Sequence, residues 1–228
     1  VSAIPPTNLH DILLKEVQYY KELAAAEQER FVTRVNAFLS DVFIEAVQTE
    51  LNDKDRALVA ASAVIPVFKF KEWHYANLRT VLIYPNNFDG NLDPNARARH
   101  RTLGGLVGSG RFENQMVLSR ESLYHGFKNN SDKLNTGIHE FAHLIDKLDG
   151  SVDGVPAVLM NHKYTILWLE LIHKKMEAIN NDKSDLRSYG GTSRAEFFAV
   201  ASEYFFSRPK LMKRKHPELY KMLRMCFG

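Results

Sequence analysis

Apolar residues recur along this chain with two kinds of spacing. Leu134, Ile138, Phe141, Ile145 and Leu148 follow one another at intervals of four and three, which draws one continuous stripe down a helix. Ser131 or Asp132 can cap the start of that helix, and Gly150 follows its end. Similar spacing predicts a helix over residues 9–20, with Leu9, Ile12, Leu13, Val17 and Tyr20 on one side. A second spans 23–39 and buries Phe31, Val35, Phe38 and Leu39. A third runs through Leu58, Val59, Ala61, Ala63 and Ile65, capped by Asn52 or Asp53 and ended with the help of Pro66. Residues 157–179 predict a long amphipathic helix carrying Leu159, Ile166, Leu167, Leu169, Leu171 and Ile172, with His162 and His173 as structural or surface residues. A final helix begins near Ser193 and ends by Pro209.

Three shorter runs read as strands instead. Residues 42–47 are β-branched and short. Thr80-Val81-Leu82-Ile83-Tyr84 is continuously apolar and closed by Pro85, and Gln115-Met116-Val117-Leu118-Ser119 is the third. Residues 116–119 have two readings, a plain core strand or an edge strand that pairs with substrate backbone. Between the strands, 86–94 is a loop rich in Asn, Asp, Gly and Pro. The glycine-rich 103–110 lacks the Gly-Lys-Ser/Thr of a phosphate loop. Arg97, Arg99, His100 and Arg101 form a basic cluster, read as an exposed loop or a contact for an acidic group.

The 228 residues, 45% hydrophobic and 25% charged, suffice for a substantial core in a single domain. Residues 1–20 read as a helical N-terminal extension. Residues 210–228 read as a basic C-terminal tail, with Lys213, Arg214 and Lys215 in a row as a solvated helix end. A net charge of +3 is too small to argue for nucleic acid. The single cysteine, Cys226, excludes an intrachain disulfide and fits a reducing compartment. No run approaches 18 apolar residues, so no membrane span is expected, and no signal peptide is visible. The chain starts at Val1 rather than Met, which leaves a trimmed upstream segment open.

The candidate chemistry lies on the striped helix, in His139-Glu140-Phe141-Ala142-His143. Residues four apart on a helix sit about 40° apart around its axis, so both histidines share a face. That is the bite of two imidazoles on a tetrahedral Zn²⁺, with Glu140 placed to act as general base on a metal-activated water. A third ligand has to come from elsewhere. Glu196 and Glu203 are seven apart on a downstream helix and share a face; either is a candidate ligand, and Glu203 also a candidate to orient one. The pair Ser193 and Glu196 also fits a capping box. Asp149, ten residues after His139, is a rival, although its pattern puts Asp146 where a sharp turn wants Gly. Asp146 itself reads as a partner of a ligating histidine or as half of a buried ion pair. Tyr189, before Gly190-Gly191, is a candidate donor to an oxyanion.

His139–His143 together with Tyr189-Gly190-Gly191-Thr192-Ser193-Arg194-Ala195-Glu196-Phe197-Phe198-Ala199 resembles the Mlc titration factor A family of bacterial zinc peptidases. The same two blocks are similar to the catalytic domain of anthrax lethal factor. Ala25-Ala26-Glu27-Gln28, Thr80–Pro85, Val117-Leu118-Ser119 and Glu203-Tyr204-Phe205-Phe206 extend the resemblance to the family over most of the chain from about residue 20. The resemblance implies an α+β zincin-like domain, helix-rich around a small mixed sheet. It implies one Zn²⁺ held by His139, His143 and Glu196, with Glu140 as general base and Tyr189 as transition-state donor. It also implies a cytoplasmic protein with aminopeptidase-like activity on peptide or protein substrates. Two alternatives accompany that expectation: a regulatory protein that sequesters the transcription repressor Mlc, and a toxin-like endopeptidase.

Overall fold

Four strands form one mixed sheet in the order β1–β2–β4–β3. Strand β1 (Phe43–Ala46) runs parallel to β2 (Thr80–Tyr84), and β2 parallel to β4 (Gln115–Ser119). Strand β3 (Gly105–Val107) closes the far edge antiparallel to β4, with Leu106 opposite Val117. The computed structural model describes residues 5–88, 103–108, 113–128 and 132–228. The basic cluster at residues 97–101, most of the loop at 86–94, and Ser131 lie outside these.

The unbroken apolar run of β2 follows from burial on both faces of the sheet. Val81 and Ile83, with Met116 and Leu118 of β4, enter the main core. Leu82 and Tyr84 join Val117, Phe88 and Leu106 in a smaller cluster on the other side. Strand β4 therefore lies inside the sheet, its backbone paired on both sides, and the substrate-pairing reading of Met116–Ser119 does not hold. The edge beside it belongs to β3, from a stretch read in sequence as glycine-rich loop. Gly104 and Gly105 have low strand propensity, so local preference did not announce it.

Ten α-helices surround the sheet among the described residues. Residues 9–20 divide at Val17 into α1 (Leu9–Glu16) and α2 (Gln18–Lys21). Leu9, Leu13, Val17 and Tyr20 are all buried, so this segment belongs to the core. Helix α3 (Ala25–Asp41) buries Phe31, Val35, Phe38 and Leu39. Helix α4 (Asp53–Val64) is capped by Asn52, whose side chain accepts from the Asp55 amide; Pro66 sits in the 3₁₀ turn that follows. Helix α5 (Arg120–Lys128) was not legible in the pattern. Its Arg120 makes a paired hydrogen bond to the fully buried Asp55, at 3.0 and 2.7 Å. Helices α6 (Thr136–Asp146) and α8 (Arg194–Ser207) pack together at the centre.

Two predicted segments need correction. Helix α7 spans Thr165–Asn180, not 157–179, because turns and a short 3₁₀ segment at His162–Tyr164 precede it. Its inward residues are Trp168, Leu171, Ile172 and Ile179; in that phase Ile166 and Leu167 fall outside, at 71% and 55% exposure. Residues 210–228 are more than a tail, although Lys213, Arg214 and Lys215 do lie exposed at the end of a helix, as expected. Helices α9 (Pro209–Lys215) and α10 (Pro217–Phe227) fold back onto α8, burying Met212, Leu219, Leu223, Cys226 and Phe227. The Phe227 ring stacks on Phe198 at 5.9 Å.

Asp185 fastens this end of the molecule. Its carboxylate accepts from Lys133, Lys215, His216 and the Tyr204 hydroxyl. Burial alone would raise its pKa, but Lys133, His216 and Lys215 outweigh burial and hold it well below the usual carboxylate range. A folded pKa below the unfolded one gives stability that is present above about pH 4 and lost as pH falls further. Asp185→Asn should therefore lower stability at neutral pH and flatten its fall below pH 4, as read by denaturant titration across pH. An unchanged acid limb would show that Asp185 has no part in it.

Candidate metal centre

Helix α6 starts where the Asn135 side chain accepts from the amide of Ile138 at 3.0 Å. That makes Asn135 the cap, rather than Ser131 or Asp132; Asp132 accepts instead from the Leu134 amide before the helix. The apolar stripe anchors the helix: Ile138, Phe141 and Ile145 are buried, Leu134 and Leu148 half-buried. Phe141 packs on Phe38 and Tyr75 with centroids 5.7 and 5.1 Å away. With that face committed to the core, His139 and His143 are turned toward α8, and Glu140 toward β3.

From α8 comes Glu196. Ser193 caps this helix by accepting from the Glu196 amide, but the Glu196 carboxylate does not reach back to complete a capping box. It lies 3.1 Å from His139 Nε2 and 3.3 Å from His143 Nε2, while the two Nε2 atoms are 3.1 Å apart. A tetrahedral ion with ligands at roughly 2.0–2.1 Å sets its ligand atoms about 3.3 Å apart, so the three edges fit such an ion. Among the described residues this is the group of histidine and carboxylate side chains able to hold a metal.

Each group has a support. The buried Glu203 Oε1 lies 2.6 Å from His139 Nδ1. A carboxylate only accepts here, so Nδ1 carries a proton, and Nε2 is the atom that faces the donor group, free to bind an ion once its own proton is displaced. Glu203 also accepts from the Asn135 amide at 2.8 Å and from Arg187. One helix face thus grips the His139 ring from both sides, Glu196 at Nε2 and Glu203 at Nδ1. The Tyr189 hydroxyl, on the 3₁₀ turn Ser188–Gly191, donates to Glu196 Oε1 at 2.8 Å, and its ring stacks on His139. Glu140 is 5% exposed and lies against the edge strand. A Cβ on Gly105 would come within 2.6 Å of its Oε1, so strand β3 passes this close only as glycine.

The electrostatics follow from this packing. Burial alone would lower the His139 pKa; Glu203 and Glu196 outweigh it and push it up to about 10. Burial would raise Glu196, yet the two histidines hold it well below the ordinary carboxylate range. Burial also raises the pKa of Glu140.

The remaining candidates lie elsewhere. Asp149 is exposed and accepts from the Ser151 amide, outside the donor group. Asp146 is fully buried, and burial pushes its pKa up to about 6. Among the described residues it neither supports a histidine by a hydrogen bond nor forms an ion pair: one oxygen accepts from the Gly154 amide and the other has no hydrogen-bond partner there. Sequence reasoning missed Asn135, Arg187 and Gly105. Asn135 was available as an Asn three residues before Ile138. Gly105 carried no local signal, because its role depends on a helix 35 residues away.

What such a pair of helices offers is a place for a metal ion beside a buried carboxylate, an arrangement that suits metallopeptidases. The chain belongs to one family of them: the family described as glucose-regulated metallo-peptidase M90 matches over residues 2–228. The Mlc titration factor A of Escherichia fergusonii is 29% identical over 90% of this chain and 80% of its own length. That of Yersinia enterocolitica is 29% identical over 86% and 76%. An uncharacterized protein of Synechocystis is 26% identical over 97% of this chain and 84% of its own length.

Proposed function

We propose that the chain is a zinc peptidase of aminopeptidase type, in which His139, His143 and Glu196 hold the ion and Glu140 moves the proton. The spacing of the three donor atoms, 3.1 to 3.3 Å apart, carries this reading. A bound Zn²⁺ would acidify a water and polarise the scissile carbonyl. Glu140, buried and free of the donor group, takes the proton from the attacking water and returns it to the departing amine. Glu203 keeps the His139 ring turned so that Nε2 faces inward. Tyr189 swings its hydroxyl from Glu196 to the oxyanion as the tetrahedral centre forms. Among the described residues β3 pairs with a strand on one side only and runs beside Glu140, which makes its other edge the place for an extended peptide to pair.

Tyr189→Phe should lower kcat by about 10²–10³-fold with little change in KM, because the bond is made in the transition state. Equal loss in both constants' ratio through KM alone would assign Tyr189 to substrate binding instead. The activity is tested by metal analysis with free and N-acetylated aminoacyl and peptidyl chromogenic substrates. Cleavage of free N-termini alone supports an aminopeptidase; equal cleavage of blocked substrates makes the enzyme an endopeptidase. A cytoplasmic setting belongs to the same proposal; among the described residues no helix is long and apolar enough to cross a membrane.

A second reading draws on relatives named for titrating Mlc, which match over 86–90% of this chain. In it the chain sequesters a transcription repressor and hydrolysis is secondary. Repressor capture by Glu140→Gln at wild-type strength would favour that role; no capture by either form would remove it.

A further inference from the structure

We infer that Gly154, latched by Asp146, is a positioning residue that sets the distance between Glu196 and the two histidines. The inference rests on the metal reading above. Three contacts converge on this one buried glycine. Its amide donates to Asp146 Oδ2 at 2.9 Å, and Asp146 lies one helical turn beyond His143, at the end of α6. Its carbonyl accepts from Trp168 Nε1 of α7 at 2.7 Å. Its Cα faces the backbone of α8: a Cβ there would lie 2.3 Å from the Arg194 carbonyl oxygen and 3.0 Å from the Ala195 amide nitrogen. Arg194 and Ala195 immediately precede Glu196.

Between the end of the helix that carries the histidines and the start of the helix that carries the carboxylate thus lie the Asp146 side chain and this one glycine. Its φ of +77° lies in the left-handed region, which also disfavours any side chain. Neither neighbour yields readily. Asp146 is fully buried, and Trp168 is fully buried against Phe197 and Phe198, which follow Glu196 directly. Any atom added at residue 154 must push the first turn of α8 outward. That movement carries Glu196 away from His139 and His143 and turns a three-ligand site toward a two-ligand one. Among the described residues this latch is the hydrogen bond Asp146 makes, and its charge also acts on His143 one turn back, so the carboxylate joins the histidine helix to Gly154.

The test uses the full chain and three variants: Gly154→Ala, Asp146→Ala and Asp146→Asn. Zinc affinity is read by competition with a chromogenic chelator well below the melting temperature, and ligand geometry by the visible absorption of the Co²⁺-loaded protein. Wild type should hold one zinc and give a tetrahedral cobalt spectrum. Gly154→Ala and Asp146→Ala should weaken zinc by about 10–100-fold and alter that spectrum. Asp146→Asn keeps an acceptor oxygen for the Gly154 amide and should recover most of the affinity. Should Gly154→Ala not fold, the contrast between Asp146→Ala and Asp146→Asn decides the matter alone. Folded Asp146→Ala with wild-type zinc affinity and cobalt spectrum would overturn the inference. A wild-type chain that binds no metal, or one whose zinc survives His143→Ala, would instead overturn the metal reading beneath it.

Discussion

Glu140→Gln is expected to keep its metal and lose about two to four orders of magnitude in kcat. The amide has nearly the shape of the carboxylate, so it fits the same buried place against Gly105 without disturbing β3. It is not part of the donor group, so the stoichiometry by metal analysis should stay at one per chain. What is lost is the oxygen that, in the proposed mechanism, accepts a proton from the attacking water. KM should change little, because the group acts on the reacting atoms and not on substrate binding. Steady-state kinetics on the metal-loaded variant check this, and wild-type turnover would remove Glu140 from the mechanism.

Glu203→Ala is expected to harm both metal binding and the fold. Three donors depend on this carboxylate: the His139 ring, the Asn135 amide and Arg187. Removing it leaves a buried imidazole N–H and a buried amide without acceptors, and a half-buried guanidinium without its counter-charge. We expect stability of the metal-free protein to fall by about 3 kcal/mol. Zinc affinity should fall by about 10–100-fold as His139 loses its fixed tautomer and orientation. Glu203→Gln should recover part of both, since one oxygen still accepts while the amide NH₂ faces a donor. Thermal unfolding of metal-free protein and chelator competition measure the two effects separately. Loss of stability with unchanged zinc affinity would make Glu203 a purely structural residue.

The parts of the fold that were legible in sequence are those with a strong period. The stripe through Ile138, Phe141 and Ile145 identified α6, and the run at residues 80–84 identified a buried strand, because each pattern is dictated by the core. Strand β3 was hidden because Gly105 serves the close approach of Glu140, and Gly104 that of Ser122, and neither favours a strand. The start of α7 was misplaced because Leu159, buried in a turn ahead of the helix, looked like part of its stripe, and the phase was misread because Ile166 and Leu167 are apolar yet face outward. At the site, spacing put Glu196 and Glu203 on one face but could not tell which would reach Nε2 and which Nδ1. That assignment depends on how far along α6 the second helix sits. Gly154 was equally silent, since its meaning comes from three elements that meet only in the folded chain.

Asn135 links two matters that are usually kept apart. Its side chain starts the helix, while its own amide is held by the carboxylate that supports His139. Unwinding the opening turn of α6 therefore slackens the ion's supporting shell, and a seated ion in return resists that unwinding. Amide hydrogen exchange at Asn135 and Ile138 should accordingly slow on zinc addition and quicken on chelation, well before the protein as a whole begins to unfold.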